Sequence, residues 1–226
     1  GLGDTSNRSS PTLIDNHTDI IAVSCGGSHT AILKSNGTVF TFGHNNIGQL
    51  GLGDTSNRSS PTLIDNHTDI ITVSCGGQHT AILKNNGTVF TFGYNNYGQL
   101  GLGNISHKSS PTLIPSLTNC IAVSCGEGHT AILKNDGTVF TFGYNNNGQL
   151  GLGNTSDRSS PTLIPNLTNC IAVSCGYKYT AILKNDGTVF TFGYNNNGQL
   201  GLGNTSDRSS PTLIPNLTNC IAVSCG

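Results

Sequence analysis

The sequence predicts an all-β fold made of repeated units, on three observations. A unit of 50 residues begins at Gly1 and recurs in register along the 226-residue chain, without insertion or deletion. Short segments alternate apolar and polar residues, the period of a β-strand, and no segment sustains a helical period. Asparagine and glycine recur between these segments, as expected of tight turns. Self-similarity at this length indicates an array of supersecondary units, because one unit alone cannot bury its apolar face.

Each unit contains four predicted strands, seen in the second repeat and its continuation into the third. In the first strand, Ile71 and Cys75 fall on one face of an alternating pattern. In the third, Phe90 and Phe92 share a face, and an Asn-Gly hairpin signal precedes this strand. The predicted strands cover residues 69–76, 79–84, 88–93 and 111–114. The last begins with proline, which suits a sheet edge.

Four short antiparallel strands per unit, arranged radially, make one blade of a β-propeller. We expect the paired Phe side chains to fill the space between blades, where burying one Phe contributes about 1.5–3 kcal/mol. The predicted organisation is a single array over residues 1–226. Its parts are four full repeats and a half-repeat, at 1–50, 51–100, 101–150, 151–200 and 201–226.

The two ends of the chain, 1–26 and 201–226, are the same half of the unit. Two identical halves cannot complete a blade with each other, so we expect an open array, either a partial or an incomplete ring. Free edge strands in such an array are sites of self-association. The competing expectation is a compact four-bladed ring with one spare half.

Composition narrows the classes of partner. Only 9% of residues are charged and the net charge is -1, so clustered basic residues for nucleic-acid phosphates are absent. No stretch approaches the roughly 20 apolar residues of a membrane span. No basic-then-apolar leader opens the sequence either. We therefore expect neither a nucleic acid nor a membrane as the partner.

Cysteines occupy two positions of the repeat. The eight are Cys25, Cys75, Cys125, Cys175 and Cys225 at one position and Cys120, Cys170 and Cys220 at the other. Equivalent residues of neighbouring blades should lie about 10 Å apart, which is too far for a disulfide. We predict free, buried structural thiols, which favour a reducing intracellular compartment, cytoplasmic or nuclear.

Two motifs in this order resemble the regulator of chromosome condensation repeat. They are Phe-Thr-Phe-Gly-Tyr-Asn-Asn-Tyr-Gly-Gln-Leu-Gly-Leu-Gly at 90–103 and Val-Ser-Cys-Gly-Glu-Gly-His-Thr-Ala-Ile-Leu at 123–133, and both recur at the family's usual spacing. The resemblance covers the whole chain. It implies a propeller, usually of seven blades. It also implies a set of roles: guanine-nucleotide exchange on a small GTPase, chromatin binding, ubiquitin-ligase scaffolding, or partner docking.

The sequence departs from that family pattern in ways that bear on function. No repeat carries an insertion, whereas the family's exchange factor resembles this scaffold with a protruding β-hairpin wedge added. The missing wedge argues against exchange activity. Phe stands where the family usually has Trp, at Phe42, Phe92, Phe142 and Phe192, and Tyr179 replaces the family's His in the fourth copy.

Residues typical of catalysis are missing from the sequence. No carboxylate pair, Ser-His-Asp set or phosphate-cradling loop stands out, so we predict no enzyme, no catalytic residue, no metal site and no cofactor. His29, His79 and His129 fall at equivalent positions of different blades. We expect each to make a structural hydrogen bond that holds its turn.

Positions that differ between copies, in an otherwise unchanged framework, are the candidate partner-binding residues. They follow Cys-Gly or Phe-Gly in loops, where binding residues concentrate on a rigid scaffold. Several are tyrosines, which are typical interface anchors. The candidates are Ser28, Gln78, Glu127, Tyr177, Lys178, His44, Tyr94, Tyr97, Tyr144 and Tyr194. The competing interpretation is drift at unconstrained surface positions.

The sequence favours a non-enzymatic scaffold for protein–protein interaction, with an unidentified protein partner. Two alternatives rest on the resemblance: an exchange factor for a small GTPase, and a propeller module associated with ubiquitin ligases. A chromatin-associated module is a third, and the nearly neutral charge opposes it.

Overall fold

The computed structural model describes all 226 residues, which form four separate four-stranded antiparallel sheets. Strands pair in chain order within each sheet, so each sheet is one blade. Blade 1 consists of β1 (Ile20–Cys25), β2 (His29–Lys34), β3 (Val39–Gly43) and β4 (Arg58–Leu63). Blade 2 consists of β5 (Ile70–Cys75), β6 (His79–Lys84), β7 (Val89–Gly93) and β8 (Lys108–Leu113).

The other two blades repeat this arrangement. Blade 3 consists of β9 (Cys120–Cys125), β10 (His129–Lys134), β11 (Val139–Gly143) and β12 (Arg158–Leu163). Blade 4 consists of β13 (Cys170–Cys175), β14 (Tyr179–Lys184), β15 (Val189–Gly193) and β16 (Arg208–Leu213). The predicted all-β propeller of four-stranded blades is confirmed, while seven blades stays an expectation from the resemblance. The structure contains no helix of the length and apolar character needed to cross a membrane.

The fourth strand of each blade begins earlier than the sequence predicted. In blade 2, β8 begins at Lys108, which pairs with Gly93, whereas the predicted strand began at Pro111. The ladder shifts register between Thr91 and Gly93. Pro111 lies in the shifted segment, where its missing N–H breaks no ladder bond. The polar residues before the proline carry no alternation, so the start of this strand could not be predicted from the sequence.

The apolar core lies between blades. Phe92 of blade 2 is fully buried in a cluster with Ala31 and Leu33 of blade 1. Phe90 packs half-buried against the same cluster. The corresponding cluster between blades 2 and 3 is built around Phe142. The prediction that the Phe pair fills the space between blades is confirmed, and each blade depends on its neighbour for its core.

The loop that follows the third strand also joins adjacent blades. In blade 2, the Thr91 hydroxyl donates to the carbonyl oxygen of Leu100 at 2.7 Å. The buried Asn95 side chain accepts from the Leu100 N–H at 2.9 Å. Gly101 then passes against the ring of Phe142 in blade 3, and a Cβ there would lie 2.8 Å from Cε2. Its φ of 69° adds a second reason for glycine.

The two terminal segments lie beside the array without forming strands. The Gly3 N–H donates to the Ser59 carbonyl oxygen at 2.9 Å, and the Cys225 N–H donates to Ser174 Oγ at 2.9 Å. No ladder joins the segments to each other or joins blade 1 to blade 4. The face of blade 1 that points away from blade 2 is therefore not covered by another blade. Ile20 on this blade is 39% exposed, whereas the equivalent Ile70 of blade 2 is 2% exposed.

All eight cysteines are free thiols. Five are buried: Cys75, Cys120, Cys125, Cys170 and Cys175. Cys25 is exposed and Cys220 and Cys225 are half-buried, although all eight were predicted to be buried. Cys25 is exposed because no blade packs against the outward side of β1.

Candidate interaction site at the central cavity

A cavity of about 740 Å³ opens where the first strands of the blades end. These strands are the innermost ones, because β1 contacts β5, β5 contacts β9, and β9 contacts β13. The turns that follow them line the cavity, together with the loops after the third strands of blades 2 and 3. We call this feature the central cavity.

Glycine at the start of each lining turn permits neighbouring blades to approach closely. A Cβ at Gly76 would collide with the carbonyl oxygen of Gly126 and with the ring of His79. The Gly77 N–H donates to the carbonyl oxygens of Gly126 at 3.1 Å and Glu127 at 3.2 Å, so adjacent turns are joined through their backbones. The two residues after each Cys-Gly line the cavity in all four blades.

The predicted structural histidines are buried next to these turns and bond to the following blade. His79 Nε2 lies 2.9 Å from Thr130 Oγ1 of blade 3. The Thr130 hydroxyl donates to the Gln99 carbonyl oxygen at 2.9 Å, so its oxygen accepts from a protonated Nε2 of His79. Equivalent His–Thr bonds start from His29 and His129. Each bond joins adjacent blades, whereas the sequence predicted one that holds the histidine's own turn.

Burial keeps these imidazoles neutral. Desolvation lowers the pKa of His29 to about 4, that of His79 to about 3 and that of His129 to about 4. Nearby imidazoles add a smaller repulsive contribution at His29 and His79. Near pH 7 the histidines therefore serve as neutral hydrogen-bond donors between blades. No group of three or more His, Cys, Asp or Glu side chains is placed to hold a metal ion.

Three tyrosines form an aromatic strip across blades 2 and 3. The rings of Tyr94 and Tyr97 meet edge to face with centroids 5.9 Å apart, and the Tyr97 centroid lies 4.7 Å from that of Tyr144. Gly128 makes room for the strip, because a Cβ there would lie 3.3 Å from Cβ of Tyr144 and 3.6 Å from the Tyr97 ring. Tyr97 is 40% exposed, so the strip presents an aromatic surface to solvent.

Blade 4 adds a cation beside this strip. Lys178 Nζ lies 5.0 Å from the ring centroid of Tyr177 and 5.8 Å from that of Tyr144. The same nitrogen lies 4.0 Å from Oε2 of Glu127. One ammonium group thus contacts two aromatic rings and a carboxylate. Lys178 and Glu127 are the only charged residues that line the central cavity.

The structure brings most of the candidate residues together. Eight of the ten line the central cavity: Ser28, Gln78, Tyr94, Tyr97, Glu127, Tyr144, Tyr177 and Lys178. His44 and Tyr194 lie outside it. His44 Nδ1 is 3.1 Å from Nε2 of Gln49. Tyr194 belongs to blade 4, and its N–H donates to the carbonyl oxygen of Lys178 at 2.9 Å.

Sequence reasoning missed the cysteines, the glycines and Gln99, which complete the lining. Gln99 connects the framework to the strip, because its side-chain Oε1 accepts from the Tyr97 N–H at 3.1 Å. Its carbonyl oxygen accepts from Thr130. The available signal was the return of Gln in the Gly-Gln-Leu segment of every full repeat.

Known proteins resemble this chain in sequence and in fold. A zebrafish protein, "Protein RCC2 homolog" of Danio rerio, is 49% identical over 53 residues, which are 23% of this chain and 11% of that protein. The crystal structure of human WBSCR16 aligns with a TM-score of 0.84 and 28% identity, over 92% of this chain and 56% of the other.

The crystal structure of Prp20p from Saccharomyces cerevisiae aligns with a TM-score of 0.83 and 22% identity, over 96% of this chain and 55% of the other. The chain thus spans about half the length of these solved structures and matches about a tenth of the zebrafish relative. The family model described as the RCC1-like domain matches all of residues 1–226. The regulator of chromosome condensation resemblance is confirmed, and the chain belongs to the RCC1-like domain family.

Proposed function

We propose that the chain is a non-enzymatic scaffold for protein–protein interaction and that its partner binds over the central cavity. One observation carries the proposal: eight of the ten candidate residues that differ between copies line a single concave surface, with contributions from all four blades. Ligand-binding sites are typically concave and few in number per protein.

The framework around the cavity supports a binding role. The His–Thr bonds and the buried Phe clusters hold adjacent blades in the same way at each junction between blades. Side chains that vary on such a framework are presented from fixed positions. A rigid scaffold that carries variable loops is the usual arrangement of a binding surface.

The exposed aromatic residues supply anchors for a protein partner. Tyr97 is 40% exposed and Tyr177 is 58% exposed, and both line the central cavity. Tyrosine is enriched among residues that carry most of the binding energy of an interface. A lining with only one lysine gives little attraction for a nucleic-acid backbone, which needs several basic contacts.

Affinity capture with matched variants tests this proposal. The full chain, a Tyr97→Ala/Tyr177→Ala double variant and a Tyr194→Ala control are immobilised, and captured proteins are quantified by mass spectrometry. Tyr194 is the control because it lies outside the cavity. We expect a partner that binds the original chain and the control and is lost with the double variant. Equal recovery on all three would overturn the proposal.

Guanine-nucleotide exchange is the second candidate, and one observation brings it forward. The structural neighbour Prp20p was characterised for its binding properties to Gsp1p and histones. Against an exchange activity, the four blades here have loops of equal length and none carries an inserted hairpin. We expect no acceleration of nucleotide release from candidate small GTPases. Acceleration that survives Tyr97→Ala/Tyr177→Ala would favour exchange over the scaffold.

A further inference from the structure

Lys178 occupies a position that a scaffold role alone leaves unexplained. Its ammonium group is directed between the rings of Tyr177 and Tyr144 and toward the carboxylate of Glu127. The equivalent residues of the other copies are Ser28, Gln78 and Gly128, which are shorter and uncharged. Blade 4 alone therefore carries a long cation at this position.

The surroundings of this ammonium group attract positive charge. Aromatic rings present the negative face of their quadrupole to a cation. Glu127 is the only acidic side chain in the cavity lining, and the Asp157 carboxylate acts from nearby. The pKa of Tyr97 is raised mainly by the adjacent Tyr94 phenol and by partial burial, with smaller contributions from Tyr144 and from these two carboxylates. Without Lys178, the cavity would contain an uncompensated carboxylate beside an aromatic surface.

The contacts that hold Lys178 are individually weak. The ion pair with Glu127 is at the limit of 4.0 Å, and the two side chains are 29% and 39% exposed. Exposed ion pairs of this kind contribute little because water competes for both charges. Lys178 is therefore held where it can be displaced by a cation with better geometry.

We infer that Tyr144, Tyr177 and Glu127 form a cation-binding cage that takes an arginine side chain of the partner protein, and that Lys178 occupies it as an internal substitute in the free chain. Arginine fits better than lysine, because its planar guanidinium stacks on a ring while its fork of N–H groups meets a carboxylate. This inference deepens the proposed scaffold function and rests on it, because it takes the bound arginine to belong to a protein partner.

The opposite assignment makes an opposite prediction. If Lys178 itself recognised an acidic partner, its removal would abolish binding. If Lys178 is an internal substitute, its removal opens the cage to cations. While Lys178 occupies the cage, the apparent affinity for an added cation is its intrinsic affinity multiplied by the fraction of molecules in which the cage is free.

The probe is N-acetyl-arginine-N-methylamide, titrated into the full chain with ¹³C-labelled tyrosine and followed by NMR. The chain has six tyrosines, of which Tyr144 and Tyr177 report on the cage, Tyr97 on the adjacent aromatic strip and Tyr194 on a position outside the cavity. We expect Lys178→Met to tighten binding by about threefold or more, because the internal competitor is gone. Adding Glu127→Gln to this variant should remove the gain.

Lys184→Met is the matched control, because that lysine lies over the ring of Phe190, away from the cavity, with its Nζ 5.7 Å from the ring centroid. It should leave the titration unchanged, and unfolding midpoints establish that all variants fold. Equal affinity in Lys178→Met and Lys184→Met, no shift of the cage tyrosines, or tighter binding of N-acetyl-glutamate-N-methylamide would each overturn the cage. Because the probe is a small molecule, this titration needs no partner protein. Its outcome therefore does not depend on whether the capture experiment succeeds.

Discussion

The contact surface between blades 2 and 3 and the lining of the central cavity use neighbouring residues of the same turns, yet they differ in what is repeated. Between the blades, the His79–Thr130–Gln99 set recurs with the same bonds as His29–Thr80–Gln49 and as His129–Thr180–Gln149. In the cavity, the pair after Cys-Gly differs in every copy. Repetition therefore sets the geometry of the array, and a few unconstrained residues set the chemistry of its surface.

Lowering the pH tests the contact surface between blades most strongly. Buried His29, His79 and His129 have pKa values of about 4, 3 and 4, against an ordinary value of 6.5 in the unfolded chain. At pH values between the folded and unfolded pKa values, these histidines bind protons in the unfolded chain but not in the folded chain. Their contribution to the free energy of unfolding is therefore complete above pH 6.5 and is lost as the pH falls toward 4. We expect a loss of about 2 kcal/mol per histidine between pH 7 and pH 5.

Urea midpoints measured across this pH range check the prediction. In a His79→Gln variant one of the three most strongly shifted histidines is gone. Because His67 adds only a smaller shift in the same direction, the slope with pH should fall by somewhat less than a third. A midpoint that does not move between pH 7 and pH 5 would show that the imidazoles are protonated or hydrated in the folded chain.

Removing one core aromatic ring is the next largest test. Phe92→Ala deletes a fully buried ring between blades 1 and 2, which should lower the free energy of unfolding by about 3–5 kcal/mol. Phe90→Ala is the matched control, because Phe90 is only partly buried and should cost less. Chemical denaturation of both variants gives the comparison, and equal losses would contradict the assigned positions of the two rings.

A hydroxyl deletion tests the bond between blades without leaving a cavity. Thr130→Val keeps the shape but leaves the His79 donor and the Gln99 carbonyl without their partner, at an expected cost of about 2 kcal/mol. Thr112→Val removes an exposed hydroxyl of β8 that donates to Ser110, and it should have a much smaller effect. Indistinguishable unfolding midpoints for the two variants would show that the His–Thr bond makes no measurable contribution to stability.

The smallest effect on stability should come from the cavity lining. Tyr97→Ala removes a ring that is 40% exposed, so we expect the free energy of unfolding to change by less than about 1 kcal/mol. Combined with Tyr177→Ala, the same substitution should abolish partner capture, as proposed above. A large destabilisation would mean that the aromatic strip belongs to the core, and the contrast between the two regions would fail.

Most of the fold could be predicted from the sequence because every local signal repeats. The hairpin turn and the Phe pair each predicted a strand or a core position that the structure contains. The alternation from Ile71 to Cys75 predicted the strand correctly but the wrong residue at its start, because a bulge between Ile70 and Thr72 buries Ile70 and leaves Ile71 50% exposed. The start of β8 could not be predicted, since it depends on pairing with Gly93 across a bulge. Pairing of that kind has no signature in a run of Lys and Ser.

The candidate site was predictable as a set of positions but not as an arrangement. Differences between copies drew attention to Tyr97, Glu127 and Lys178. The proximity of Lys178 to Tyr144 and Glu127 could not be predicted, because those contacts cross from blade 4 to blade 3. The partner of His79 was missed for the same reason, since Thr130 is 51 residues away.

The clamp around Thr130 has one further consequence. The hydroxyl of this blade 3 threonine makes two hydrogen bonds to blade 2. It accepts from His79 and donates to the carbonyl oxygen of Gln99. Two such bonds fix the angle at which consecutive blades meet. These contacts between blades then determine the width of the central cavity. Side chains that face the cavity can be substituted without changing how the blades meet.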